Sequence, residues 1–251
     1  MNIDLSNKIA VVTGASGELG RVMARTLADC GADVAIHYHQ AADQARSLEK
    51  EIRAKGRRAC AVQADVRSKP DIKRMRDEIL QHLGAPDIVV ANAVVQYQWT
   101  HLLQQSLDDY RSQFESCVLQ NVILAQVFVP DMIAKRWGRY VAISTECAMQ
   151  CAPAQSAYVS GKRGMDGALR VLAREIGEHG ITVNQVAPGW TVSENRPAKG
   201  RPDAYVNQVP LKRWGLDQEI ANVVAFLASD LAGYITGAYV PVCGGNVMPG
   251  I

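Results

Sequence analysis

The sequence predicts an α/β fold, a doubly wound parallel sheet of about seven strands with helices on both faces, and three observations predict it. Short β-branched runs alternate with longer helical patterns from one end of the 251-residue chain to the other. Most runs are apolar throughout, as in strands covered on both faces, rather than alternating as in a sheet with one wet face. No linker or shift in composition interrupts the rhythm, so residues 1–251 are expected to form a single domain.

Taken in order, the expected strands are Ile9–Val12, Val34–Ile36, Ala59–Val62, Ile88–Val90, Tyr140–Ile143, Thr182–Val186 and Tyr239–Val242. Helices between them are signalled by apolar spacing such as Ala45, Leu48 and Ile52, or Val171, Leu172 and Ile176. One stretch breaks the pattern. Ser193–Pro210 holds Pro197, Gly200, Pro202 and Pro210 without a period, so a long loop is expected at about 190–212, of the kind that forms lids or binding segments.

Composition narrows the function classes. With 48% hydrophobic and 21% charged residues the chain is neither disordered nor fibrous. A net charge of +2 offers no broad basic face, and the densest basic run, Lys55-Gly56-Arg57-Arg58, reads as a solvated helix-to-strand turn, so no nucleic-acid partner is expected. Six cysteines lack the paired spacing of a metal site or disulfide framework and read as free thiols. No segment is read as a secretory signal or a membrane span, so the default expectation is a soluble cytoplasmic protein.

Function enters at the first strand. Val11-Val12 runs into Thr13-Gly14-Ala15-Ser16-Gly17-Glu18-Leu19-Gly20-Arg21-Val22, a glycine-rich turn that opens a helix. Glycines permit a tight turn and close backbone approach, and a helix N-terminus offers free N–H groups to phosphate. The turn therefore reads as the pyrophosphate site of a dinucleotide, and the fold as Rossmann-type.

Thr13-Gly14 with Gly20, Asp65-Val66 after the third strand, Ala91-Asn92-Ala93 after the fourth, Tyr158 with Lys162, and Pro188-Gly189 after the sixth resemble the short-chain dehydrogenase/reductase family over nearly the whole chain. Gly180-Ile181-Thr182-Val183-Asn184 and Ala225-Phe226-Leu227-Ala228-Ser229-Asp230 are similar to the 3-oxoacyl-acyl-carrier-protein reductase-like branch, which covers many substrates. The resemblance implies an NAD(P)-dependent oxidoreductase that moves a hydride between nicotinamide and a carbonyl or secondary alcohol. Cofactor contacts are implied for Gly14, Ser16, Leu19, Gly20, Tyr38, His39, Asp65, Val66, Asn92, Ala93, Tyr158, Lys162, Pro188, Gly189 and Thr191. It also implies a homo-oligomer, a tetramer or dimer, packed through long helices around residues 107–135 and 156–178.

Tyr158-Val159-Ser160-Gly161-Lys162 puts a phenol and an ammonium on one helix face. A free phenol has a pKa of about 10, and an adjacent ammonium and a cationic nicotinamide both favour phenolate. By the resemblance Tyr158 is the general acid/base and Lys162 its activator.

Four positions depart from the family pattern. Thr145 stands where a serine is usual, with Ser144 expected to point to the opposite side of an extended chain. Cys117 replaces a helix asparagine that holds a proton-relaying water, with Asn121 one turn further on. Glu18 and Val94 replace glycines, and the Glu18 carboxylate is expected to face away from the pyrophosphate. At the end of the second strand, where NAD-dependent relatives carry an acid, stands Tyr38 between His37 and His39, with His39 and Gln40 in reach of a 2′-phosphate. The reading is NADP, with NAD as the alternative. These departures also keep a rival open: a catalytically weakened nucleotide-binding sensor or interaction protein of the same fold. Arg196, Lys199 and Arg201 hint at an anionic substrate group or form a solvated loop.

Overall fold

The computed structural model describes residues 2–200 and 203–249. All seven expected strands form and pair in one sheet: β1 (Ile9–Val12), β2 (Asp33–Tyr38), β3 (Ala59–Gln63), β4 (Ile88–Ala91), β5 (Gly138–Ile143), β6 (Ile181–Pro188) and, after a two-residue pair β7 (Thr191–Val192) and β8 (Gly215–Leu216), the last strand β9 (Tyr239–Val242). The order is β3-β2-β1-β4-β5-β6-β9 and every pairing is parallel. The chain winds one way from β1 to β3 and the other way from β4 onward. Neighbouring loops therefore part at the C-terminal ends of β1 and β4, where such sheets bind ligands.

Two apolar layers explain the unbroken runs. Val12, Ile36 and Val90 face α1 (Glu18–Asp29), α2 (Ala42–Ala54) and, later in the chain, the helix Asp217–Ala228, through Met23, Leu27, Leu48, Ile52, Ile220 and Val224. On the opposite face Val11, Val89 and Tyr140 meet α3 (Lys69–His82) and the long helices that follow, through Ile72, Met75, Phe128 and Met165.

The first long helix runs 29 residues, Leu107–Lys135. It comprises α4 (Leu107–Gln113), a π-helical turn (Phe114–Leu119) and α5 (Gln120–Lys135). By length and composition it could cross a membrane, which the sequence reading did not anticipate. Here Leu124, Phe128 and Met132 pack into the core, and buried Gln113, Gln120 and Asn121 give it a polar side that faces protein. Among the described residues the remaining α-helices are α6 (Cys147–Gln150), α7 (Ser156–Ile176), α8 (Asp203–Gln208) and α9 (Asp217–Ala228).

Two expectations change. The stretch read as a loop carries β7 and α8, and β8 follows it; Arg201 and Pro202 lie outside the described residues. Its order comes from tertiary contacts of aromatic side chains, which leave no period in sequence. In the basic turn, Arg57 and Arg58 are not simply solvated, because both pair with Asp33, at 3.1 and 2.8 Å.

Candidate active site and cofactor cleft

The turn after β1 is built by sterics. Gly14 has φ +64°, and a Cβ there would meet Asn92 Nδ2 at 3.1 Å and Ala93 Cα at 3.2 Å. At Gly20 a Cβ would lie 2.2 Å from the Gly14 carbonyl oxygen, so the first turn of α1 seats directly on the loop. Gly17 is the N-cap of α1 and supplies no side-chain bond, which leaves the first-turn N–H groups uncapped by side chains and open to an anion.

Polar bonds hold this turn to its neighbours. The Thr13 hydroxyl accepts the Asn92 and Ala93 N–H groups at 2.9 and 3.0 Å, and Asn92 Nδ2 donates to the Thr13 carbonyl at 2.8 Å. The Asn92 amide therefore braces the turn, and Asn92 meets the cleft beside it. His37 is buried, accepting the Gly14 N–H on Nδ1 at 2.9 Å while Nε2 lies 3.0 Å from the Ala64 carbonyl. Burial pushes its pKa down to about 4, so it is neutral, with the proton on Nε2.

A cleft of about 780 Å³ opens from this turn. Gly14, Ser16, Leu19, Gly20, His39, Asp65, Val66, Asn92, Ala93, Gly189 and Thr191 all line it, as the sequence reading expected of a cofactor site. Tyr38 does not: it shares the face of Val34 and Ile36 and packs into the core. Strand alternation decides this, since the side chains beside it, His37 and His39, are the ones that reach the cleft. Arg67 and Gln40 line the cleft too, and Arg67 forks onto Asp65 through Nε and Nη2 at 3.0 and 2.8 Å. No acidic side chain from the end of β2 lines it.

Glu18 lines this cleft too, and its carboxylate is held by partners of its own. Its carboxylate accepts the Ser193 hydroxyl, the Asn195 amide at 3.0 Å and the Arg21 guanidinium. Burial alone would raise this carboxyl, but the bonds from Ser193 and Asn195 and the Arg21 charge hold it below its ordinary value. Arg25 adds a bond to Glu194 at 2.8 Å, so the start of the 193–196 segment is tied down on α1.

At the end of the cleft a second cavity, about 270 Å³, shares Leu19, Asn92, Gly189 and Thr191 with it. Thr145, Tyr158, Lys162 and Pro188 converge here. Ser144 and Thr145 part as expected: the Thr145 hydroxyl meets the Tyr158 phenol, while the Ser144 hydroxyl meets that of Tyr239. Lys162 is 3% exposed, its ammonium donating to the Ile143 carbonyl at 2.6 Å and lying 5.7 Å from the Tyr158 ring centre. Burial lowers the lysine's pKa. Burial likewise raises that of the Tyr158 phenol, against the pull of the Thr145 hydroxyl. The protein's own groups thus keep the phenol protonated.

Packing explains the placement of α7. A Cβ on Gly161, between Tyr158 and Lys162, would lie 2.8 Å from the Gln113 carbonyl oxygen and 3.3 Å from Cys117 Cβ, so this glycine lets α7 press against the end of α4 and the π-helical turn. Cys117 sits in that turn, fully buried. Asn121 cannot take over the role of the replaced asparagine: it donates to the Cys117 carbonyl at 2.7 Å and accepts the Tyr140 hydroxyl at 2.9 Å.

Comparison with known proteins decides the family. A family model described as enoyl-(acyl carrier protein) reductase matches residues 14–246. The chain is 38% identical to the 3-oxoacyl-acyl-carrier-protein reductase FabG of Staphylococcus epidermidis over 96% of its own length and all of the relative's. With the corresponding Pseudomonas aeruginosa reductase it shares 37% identity over 98% of this chain and all of that one. This chain is a short-chain dehydrogenase/reductase. It belongs to the 3-oxoacyl-acyl-carrier-protein reductase-like branch and is an NAD(P)-dependent oxidoreductase. A blue fluorescent protein from a metagenomic library, solved in complex with NADPH, superposes with a TM-score of 0.90 at 33% identity, covering 98% of this chain and 100% of that one.

Within this reductase, two residues beside Tyr158 and Lys162 escaped the sequence reading. The Tyr97 hydroxyl accepts the Tyr158 N–H at 2.9 Å, and Trp99 stacks on Tyr158 with ring centres 6.0 Å apart. Their signal was available: two aromatics in an aperiodic stretch just past the C-terminal end of β4, the edge where a parallel sheet gathers its ligands.

Proposed function

We propose that this short-chain dehydrogenase/reductase reduces a small carbonyl compound with NADPH, and runs the reverse oxidation with NADP. The observation that carries the reading is the convergence of Thr145, Tyr158 and Lys162 on a cavity that opens from the end of a dinucleotide-sized cleft. When bound, the nicotinamide supplies the hydride or takes it up. Tyr158, kept neutral by burial, gives its Oη proton to the carbonyl oxygen, and the Thr145 hydroxyl donates a hydrogen bond to the same oxygen. Lys162, anchored on the Ile143 carbonyl beside the phenol, would bond the nicotinamide ribose.

The protein fits the cofactor. The turn tolerates no side chain at Gly20, the N-terminus of α1 is free of side-chain caps, and the cleft runs continuously to Gly189. NADP is favoured over NAD because His39, Gln40 and Arg67 line the cleft while the end of β2 brings no carboxylate. The NADPH complex of the metagenomic relative supports the same choice. A non-catalytic sensor is disfavoured, since such a protein gains nothing from a buried, positioned lysine beside a buried phenol.

We also infer a homo-oligomer, in which the apolar side chains left exposed on the long helices, Leu107, Phe114, Leu119 and Val171, are covered by other copies. Free thiols at all six cysteines suit a cytoplasmic setting.

Thermal shift with NADPH and NADH in parallel tests the cofactor, because a ligand of the folded state raises its apparent stability. The expected result is a larger shift with NADPH, followed by NADPH consumption when a ketone is added. A shift with NADH alone would overturn the cofactor assignment, and no shift with either would overturn the functional reading.

A further inference from the structure

The cavity in front of Tyr158 has a definite chemical character. Its described lining includes one charged side chain, Lys162, and that ammonium is bonded to a backbone carbonyl and sealed from solvent. A carboxylate or phosphate on the substrate would lose its water here and find no free cation. Arg196, which the sequence suggested as an anion ligand, lines the dinucleotide cleft and not this cavity.

What the cavity offers instead is flat apolar wall. The Trp99 indole, 39% exposed, lines the cavity and stacks on the Tyr158 ring at 26°. The partly exposed Trp190 also lines the cavity, and it is fixed by stacking on Tyr205 at 5.5 Å, with Tyr205 in turn on Trp214 at 4.9 Å. Both indoles are held by another ring, so they offer a face without first losing side-chain freedom. The space is about 270 Å³, shared with the nicotinamide end of the cleft, whereas an apolar cavity of about 150 Å³ already holds a benzene ring.

On the reading of Tyr158 as general acid, we infer that the substrate is a compact, neutral ketone with an aromatic ring next to the carbonyl, and that Trp99 is a specificity-determining residue that seats that ring. The carbonyl carbon gains the hydride of NADPH and the carbonyl oxygen gains the Tyr158 proton. The phenolate is refilled from water, so one NADPH and one solvent proton are consumed per ketone and a secondary alcohol and NADP leave. An extended acyl thioester would gain no stacking contact.

The test compares kcat/KM with NADPH for a one-ring aryl ketone, 1-phenyl-1,2-propanedione, and for the acetoacetyl thioester of N-acetylcysteamine, in wild type, Trp99→Ala and Trp99→Phe. Wild type is expected to prefer the aryl ketone. Trp99→Ala should lower kcat/KM for that ketone about tenfold, mainly through KM, in line with the worth of an aromatic contact, and leave the thioester within about twofold. Trp99→Phe should recover most of the loss. A wild-type preference for the thioester, or an equal fall for both substrates in Trp99→Ala, would overturn the substrate class while leaving the oxidoreductase reading intact. Turnover of neither substrate by wild type that still binds NADPH in the thermal-shift assay would overturn both.

Discussion

The turn after β1 and the stretch that begins at β7, through Thr191, Ser193 and Arg196, line the same cleft, yet different forces hold them. The first is fixed by backbone sterics and short-range bonds: a glycine at positive φ, another with no room for a methyl, and a buried histidine on the Gly14 amide. The second is held by side chains reaching across the molecule, with Ser193 and Asn195 on Glu18, Glu194 on Arg25, and the Tyr205 hydroxyl accepting the Trp190 N–H at 2.8 Å. Sterically fixed structure fails all at once, whereas contacts of the second kind loosen one by one. Substitutions in the two regions should therefore differ in kind as well as in size.

The largest effect is expected at Gly20. A Gly20→Ala side chain must displace backbone at 2.2 Å, more than the roughly 1–3 kcal/mol usual for overpacking. The variant should lose NADPH binding and unfold at markedly lower temperature, which calorimetry with and without NADPH would show. A normal Tm with normal NADPH binding would remove the steric account of the turn.

Next comes acid. His37 has a folded pKa of about 4 against about 6.5 unfolded, so between those values the unfolded chain binds the extra proton. Its contribution is fully present above pH ~6.5 and is lost as pH falls toward 4, by about 3 kcal/mol in all. Urea unfolding across this window should show the loss in wild type and a shallower slope in His37→Asn. Equal slopes would mean that His37 is not buried and neutral on the turn.

Much of this contrast was legible in the sequence, and the reasons differ by region. The strands were readable because burial on both faces forces unbroken apolar runs, and the turn because only glycine satisfies its geometry. Tyr158 and Lys162 were readable because helical spacing fixes their common face. Tyr38 was misassigned because position at a strand end was weighed without the alternation that sends it into the core. Ser193 and Asn195, which bond Glu18, lie far along the chain in a stretch with no period, and neither spacing nor composition records such a contact. The same holds for Trp99, whose place against Tyr158 exists only once the stretch after β4 meets α7.

The smallest effect belongs to the tied-down segment. Glu18→Gln keeps an acceptor for Ser193 but loses the Arg21 ion pair, a partly exposed contact worth on the order of 1 kcal/mol or less. NADPH dissociation is expected to speed up severalfold or less in stopped-flow fluorescence, with Tm nearly unchanged. A collapse of stability would place Glu18 with the sterically fixed turn rather than with the segment.

The central claim is that Tyr158 delivers the proton in a site whose cofactor cleft stands without it. Steady-state NADPH oxidation with a ketone substrate, run beside NADPH thermal shift on wild type and Tyr158→Phe, tests it most directly. The account predicts a Tyr158→Phe protein that binds NADPH like wild type and loses about 10²-fold or more in kcat, the usual worth of a general acid. A Tyr158→Phe protein that keeps full turnover would contradict it.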